Sequence, residues 1–214
     1  MQASVHLQAR INSARMAFQQ GYAKKIIICG GTCFHIRYPT HLEQPSIKPP
    51  DFTPKARRKA SRLPSESAVI GMMLNKAHDS YDPVPWDNMI LEQKSLTTSG
   101  NAKESSKLIK ELRGGSTGIL SMVYHLNRPR ENTMEVFEYE FAKRNLSKPI
   151  PVYTEEILYC HRRNNETLSW IRRFYSDYSL KNSWSGFQWD AEEICRRLTT
   201  NTSLMDLKPI KAIE

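Results

Sequence analysis

The side chains with the most chemistry in them are Glu66, Glu92, Ser95, Thr98, Asn101, Ser121, His125 and Arg128. Glu66 and Glu92 would lie near one sheet edge in an open parallel sheet. Two carboxylates so placed can raise one another's pKa and divide acid and base roles, or hold a divalent ion. Each can equally cap a helix or accept bonds from backbone N–H groups. Ser95, Thr98 and Asn101 suit contacts to a ribose, phosphate or sugar hydroxyl, and equally suit loop-to-helix capping. Arg128 can fork onto a carboxylate or phosphate, with His125 as acid, base or anion contact. No Ser-His-Asp order, Walker loop, H-E-x-x-H or zinc spacing accompanies these residues, and no metal site is predicted. Gly30-Gly31 is not the G-x-G-x-x-G of a dinucleotide fold.

The elements that must position these groups are short. Met89-Ile90-Leu91 and Ile119 to Val123 read as buried strands, each passing into a polar turn and then a helix. Ligands in an open parallel sheet sit at such strand C-termini and helix N-termini. Upstream, Leu7, Ile11, Ala14 and Phe18 recur at helical spacing, and Gly21 stops that helix. Ile26-Ile27-Ile28-Cys29 is apolar and β-branched, as in a buried parallel strand, and Gly30-Gly31 ends it. Those glycines allow close approach of a ligand or simply make a tight turn.

Ser65 is a good N-cap for a helix whose buried stripe would be Val69, Met72, Met73 and the stem of Lys76. Thr97-Thr98-Ser99 offers caps for another, with Ala102, Leu108, Ile109 and Leu112 inward and Gly114-Gly115 at its end. Pro129 suits the first turn of a helix burying Met134, Phe137 and Phe141. Ile150-Pro151-Val152-Tyr153 reads as an edge strand, because its proline cannot donate to a ladder. Glu155 to Glu214 reads as two or three amphipathic helices, marked by Ile157, Leu158 and Cys160, by Leu168, Ile171, Phe174 and Tyr175, and by Ile194 and Leu198. Trp170, Trp184 and Trp189 would cover the body of the domain, a role favoured over stacking on a ligand.

A length of 214 residues suits one domain with an appendage. No run approaches the roughly 18 apolar residues of a membrane span, and Met1 to Arg15 lacks a signal-peptide pattern. The net charge of +9 is uneven, with six basic residues and one acidic between Lys48 and Arg62. With its prolines, the region from Thr32 to Leu63 reads as a long surface loop. Its cluster Lys55, Arg57, Arg58, Lys59 and Arg62 has no interleaved aromatics, so a solvated loop is favoured over a nucleic-acid site. Cys29, Cys33, Cys160 and Cys195 form no C-x-x-C pair, so reduced, mostly buried thiols are expected. These features describe a cytoplasmic α/β protein.

Four blocks in order carry a resemblance. They are the strand ending at Cys29-Gly30-Gly31, then Ser65-Glu66-Ser67-Ala68, then Leu91-Glu92 with Ser95, Thr98, Asn101 and Ala102, then Ser121, His125, Leu126 and Arg128. Together, over Arg10 to Thr154, they resemble the YdcF/SanA/ElyC-like family, bacterial domains of unknown function with a Rossmann-like core. Cys29 stands where that family has serine, and Met122 and Pro129 also depart from its pattern. The family opens with an apolar strand before the helix that contains Arg10, whereas this chain begins at that helix; the absent strand would be central in the sheet.

The resemblance implies an open, mostly parallel Rossmann-like sheet over residues 1–154, with residues 155–214 as a helical extension packed on it. It also implies a small-molecule site formed by Gly30, Gly31, Ser65, Ser95, Thr98, Asn101, Ser121 and Arg128. The ligand would be nucleoside-type, such as S-adenosylmethionine, or phosphorylated. The alternative is a hydrolase or transferase acting on a phosphorylated or envelope-precursor substrate through Glu66, Glu92 and His125.

Overall fold

The computed structural model describes residues 4–31, 65–77, 81–129, 132–181 and 186–212, with residues 177–181 described by their backbone alone. The basic segment 48–62, the rest of the stretch expected to be a loop, Cys33 and Trp184 lie outside the described residues. Within them the chain is mixed α/β, with eight α-helices and six short strands.

The N-terminal half is built from helix α1 (Val5–Gln19), strand β1 (Ile26–Cys29), helix α2 (Glu66–Leu74), strand β2 (Met89–Glu92) and helix α3 (Thr98–Glu111). Leu7, Ile11, Ala14 and Phe18 share one face of α1 and pack with Ile28, Leu74, Val84 and Met89. Gly21 follows the helix with φ 77°, a left-handed conformation that glycine takes without steric cost. Ser65 caps α2 by accepting from the Ala68 N–H, and Thr97 caps α3 by accepting from the Gly100 N–H. The inward face of α2 meets the expected stripe at Met73, which packs on the same cluster as α1, but otherwise differs from it. Ser67, Gly71 and Leu74 are buried, while Met72 is 46% exposed. Gly71 sits against the Trp86 ring and Leu91, and that close approach of the segment leading into β2 sets which face turns inward.

The second half contains β3 (Gly118–Ser121), α4 (Val123–Leu126), α5 (Thr133–Ala142), β4 (Ile150–Tyr153), α6 (Thr154–Arg162), α7 (Asn165–Lys181), β5 (Phe187–Gln188), α8 (Ala191–Thr199) and β6 (Lys211–Ala212). Strand β3 stops at Ser121, short of the expected Val123. The Val123 N–H instead points to the buried Glu155 carboxylate, 3.3 Å away, and starts α4. Pro129 does not open α5. Asn132 does, accepting from the Met134 N–H, and Thr133 Oγ1 donates to the His125 carbonyl. Met134, Phe137 and Phe141 face inward as the spacing predicts.

The four longer strands form two separate parallel pairs. Ile26 to Cys29 lie opposite Met89 to Glu92, and Gly118 to Ser121 lie opposite Ile150 to Tyr153. Among the described residues no ladder joins β1 to β3, so a continuous open sheet is not formed. Ile27 of β1 and Ile119 of β3 nevertheless pack on the same cluster of Ala102, Ile109, Phe137 and Phe141. Shared helix contacts, rather than shared hydrogen bonds, thus link the two pairs among the described residues.

The C-terminal helices complete the largest apolar cluster. Ile171, Phe174 and Tyr175 of α7, Ile194 and Leu198 of α8, and Trp189 pack against Met122, Val123, Leu126 and Tyr153. The extension is therefore fused to the β3–β4 half. Trp170 stacks on Phe174 with centroids 5.5 Å apart, and both it and Trp189 serve packing. Cys29, Cys160 and Cys195 are free thiols; Cys195 is buried, but Cys160 is exposed, against expectation. No helix among the described residues is long and apolar enough to cross a membrane.

Candidate functional site

The predicted site residues fall into two groups, one on each strand pair. On the β1–β2 side the Gly-Gly turn is a packing joint. The Gly30 carbonyl accepts from the Ser67 N–H and, at 2.8 Å, from Ser67 Oγ. The Gly31 carbonyl accepts from the Glu66 N–H, while the Gly31 N–H donates to Ser95 O at 2.6 Å. A Cβ on Gly31 would stand 2.8 Å from both Gln93 O and Ser95 O, and one on Gly30 would stand 3.0 Å from Glu66 Oε2. Glycine is needed here so that α2 and the β2–α3 loop can close on the end of β1.

Glu92 ends β2 with its side chain only 3% exposed. It accepts from the Lys94 N–H at 2.6 Å and the Ser95 N–H at 3.0 Å, and Ser95 Oγ donates to its other oxygen. Ser95 Oγ also faces Asn101 Oδ1 and can donate to only one of the two at a time. This network folds the loop into the start of α3, whose cap is Thr97 rather than Thr98. Burial, helped by the negative charge of Glu92, pushes the Cys29 thiol up to about 12, so Cys29 stays an inert thiol. Of the predicted groups, Glu92 and Ser95 are engaged with one another, and Asn101 faces the same hydroxyl.

The β3 end is different. Ser121 Oγ lies 3.1 Å from His125 Nδ1, one turn further on. With the hydroxyl donating to Nδ1, the neutral ring carries its proton on Nε2 and offers a donor there. Arg128 follows α4, and its Nε is buried without a hydrogen-bond partner. Helix α1 supplies a group that sequence spacing did not single out. Arg10 Nε is also buried and unpartnered.

The placement of Arg10 follows from the helix directions. Arg15 reaches the carbonyls of Met73 and Lys76 at the C-terminal end of α2, accepted at 2.8 Å by the latter. The N-terminus of α2 lies at the Gly-Gly turn that closes β1. Arg10, five residues before Arg15 and about 7.5 Å along the axis, is thus carried toward the strand C-termini.

The electrostatics of His125 report the same grouping. Burial lowers its pKa to about 4, helped by the positive charges of Arg10, Arg128 and His6. His6 is lowered to about 4 as well, by burial and then by Arg10. The charged groups acting on the His125 ring are all cationic, and neither Glu66 nor Glu92 is among them. The charges of Arg10, Arg128 and His6 thus all reach the neutral His125 ring that follows β3. The signal that could have found Arg10 was its spacing from His6, four residues apart on one helical face. Among the described residues no three His, Cys, Asp or Glu side chains converge as a metal site.

No family model, curated protein or solved structure matches this chain.

Proposed function

We propose that the two strand pairs are parts of one Rossmann-like layer and that the chain is a cytoplasmic protein binding a small molecule at the C-terminal end of β3. Ser121, His125 and Arg128 contact the ligand in this reading. The observation that carries it is the buried, unpartnered Arg128 Nε beside the Ser121–His125 pair. A buried cationic donor left without an acceptor costs free energy, and such groups persist where a ligand completes them. The order of the four sequence blocks supports the same reading, because it places this turn where YdcF-like proteins carry their last motif.

Binding is favoured over hydrolase or transferase chemistry. General acid–base work would want a carboxylate near His125, and the charges on that ring are cationic. Glu92 is instead engaged by its own loop. A thermal-melt screen against S-adenosylmethionine, nucleotides, sugar phosphates and divalent ions tests the reading. A ligand at about 100 times its Kd stabilises by about 2.7 kcal/mol, or about 5–10 °C for a chain of this size. The shift should disappear in His125→Ala while the unliganded melt stays cooperative. A ligand-induced shift untouched by that substitution places binding elsewhere.

A further inference from the structure

We infer that the end of β3 is built for a phosphate monoester group, held between the guanidinium groups of Arg10 and Arg128 with the His125 ring as a further donor. The inference rests on the ligand-binding reading above and narrows it to one ligand class.

Charge and hydrogen-bond accounting lead to this class. Among the described residues, no hydrogen bond or ion pair is formed by Arg10 or Arg128, and both Nε atoms are buried. The two guanidinium groups come from separate elements, α1 and the turn after α4. Their charges both reach His125, which lies between Ser121 and Arg128 in the chain. Two cations are balanced by one phosphate dianion, whereas a carboxylate would balance one and leave the other, half-buried, without a counter-charge. The planar guanidinium fork suits tetrahedral oxyanions, which accept several charge-assisted bonds at once. A cationic sulfonium such as that of S-adenosylmethionine meets repulsion in the same place.

His125 and His6 are the titratable groups facing the cluster, and Arg10 and Arg128 the fixed charges around them. A bound dianion replaces net positive with neutral surroundings. Burial still lowers the His125 pKa, but the opposing charges are offset, so its pKa rises on binding and just above about pH 4 binding takes up a proton.

The test uses the full chain. Isothermal titration compares inorganic phosphate and ribose 5-phosphate with acetate and ribose at equal ionic strength. NMR follows the His125 ring titration with and without phosphate. Phosphate and ribose 5-phosphate are expected to bind, acetate and ribose to fail, and the His125 pKa to climb above about 4. Arg10→Gln and Arg128→Gln should each weaken phosphate binding about tenfold or more. Arg10→Lys should restore part of it, because the charge returns without the fork. Arg172→Gln, on the exposed α7–α8 pair with Glu192, should change nothing.

If ribose binds as tightly as ribose 5-phosphate, or phosphate leaves the His125 pKa where it was, the phosphate assignment is wrong. Should S-adenosylmethionine then bind in a His125-dependent way, the broader ligand-binding reading survives alone. Silence from every compound sinks both. The His125 titration needs no variant, so misfolding of an arginine substitution does not spare the proposal.

Discussion

Glu155 offers the sharpest stability test in this protein. Its side chain is fully buried in the first turn of α6, beneath the start of α4. It accepts from the Val123 N–H at 3.3 Å and from the Tyr175 hydroxyl. Burial outweighs those bonds and raises its pKa from 4.5 to about 7. A carboxyl with a raised folded-state pKa holds its proton in the folded chain at pH values where the unfolded chain has released it. Stability therefore falls as pH climbs from 4.5 to about 7, and levels off above. At 1.36 kcal/mol per pKa unit the loss is about 3 kcal/mol.

Glu155→Gln removes the titration while leaving an oxygen to accept from Val123 and Tyr175. The variant should therefore gain about 3 kcal/mol on the wild type between pH 4.5 and pH 8, about 6–12 °C in Tm. His125 opposes this trend in the wild type. Its pKa is lowered, so its contribution to stability is full above 6.5 and lost as pH falls toward 4. Because the substitution leaves His125 unchanged, the difference between the two proteins isolates Glu155. Urea melts at half-unit pH steps supply the measurement. Parallel stability curves across pH 4.5–8 would mean that Glu155 ionises in the folded state as readily as in the unfolded one, and the burial argument would fail.

Two further substitutions probe the β1–β2 joint. Gly31→Ala drives a methyl against two carbonyl oxygens 2.8 Å away and should cost about 1–3 kcal/mol; an unchanged midpoint in urea would show that the loop gives way freely. Glu92→Ala removes the acceptor for two backbone N–H groups and the Ser95 hydroxyl. It should cost about 2–4 kcal/mol with no effect on the affinity for phosphate. A drop in phosphate affinity with the Tm preserved would return Glu92 to the ligand site.

Element types were legible in the sequence because they depend on neighbouring residues. The spacing of Leu7, Ile11, Ala14 and Phe18, the caps Ser65 and Thr97, and the β-branched run before Gly30 each encode local geometry. Boundaries failed where a distant group intervened. The Glu155 carboxylate claims the Val123 N–H and ends β3 early, although 32 residues separate the two. The inward face of α2 follows the approach of Trp86 to Gly71, which its own spacing does not carry.

The site divides along the same line. The sequence by itself determined which side chains stand at strand ends, including Ser121, His125 and Arg128, since a strand, a turn and a helix in succession place them there. It could not separate Glu92 and Ser95, engaged with one another, from Arg128, whose Nε is left unpartnered among the described residues. Nor did it bring Arg10 to His125 across more than a hundred residues. Local backbone preference acts over one turn or one strand, whereas charge and burial act through space. Only the tertiary structure, by packing α1 beside the strands, decided that the charges of Arg10 and Arg128 both reach His125.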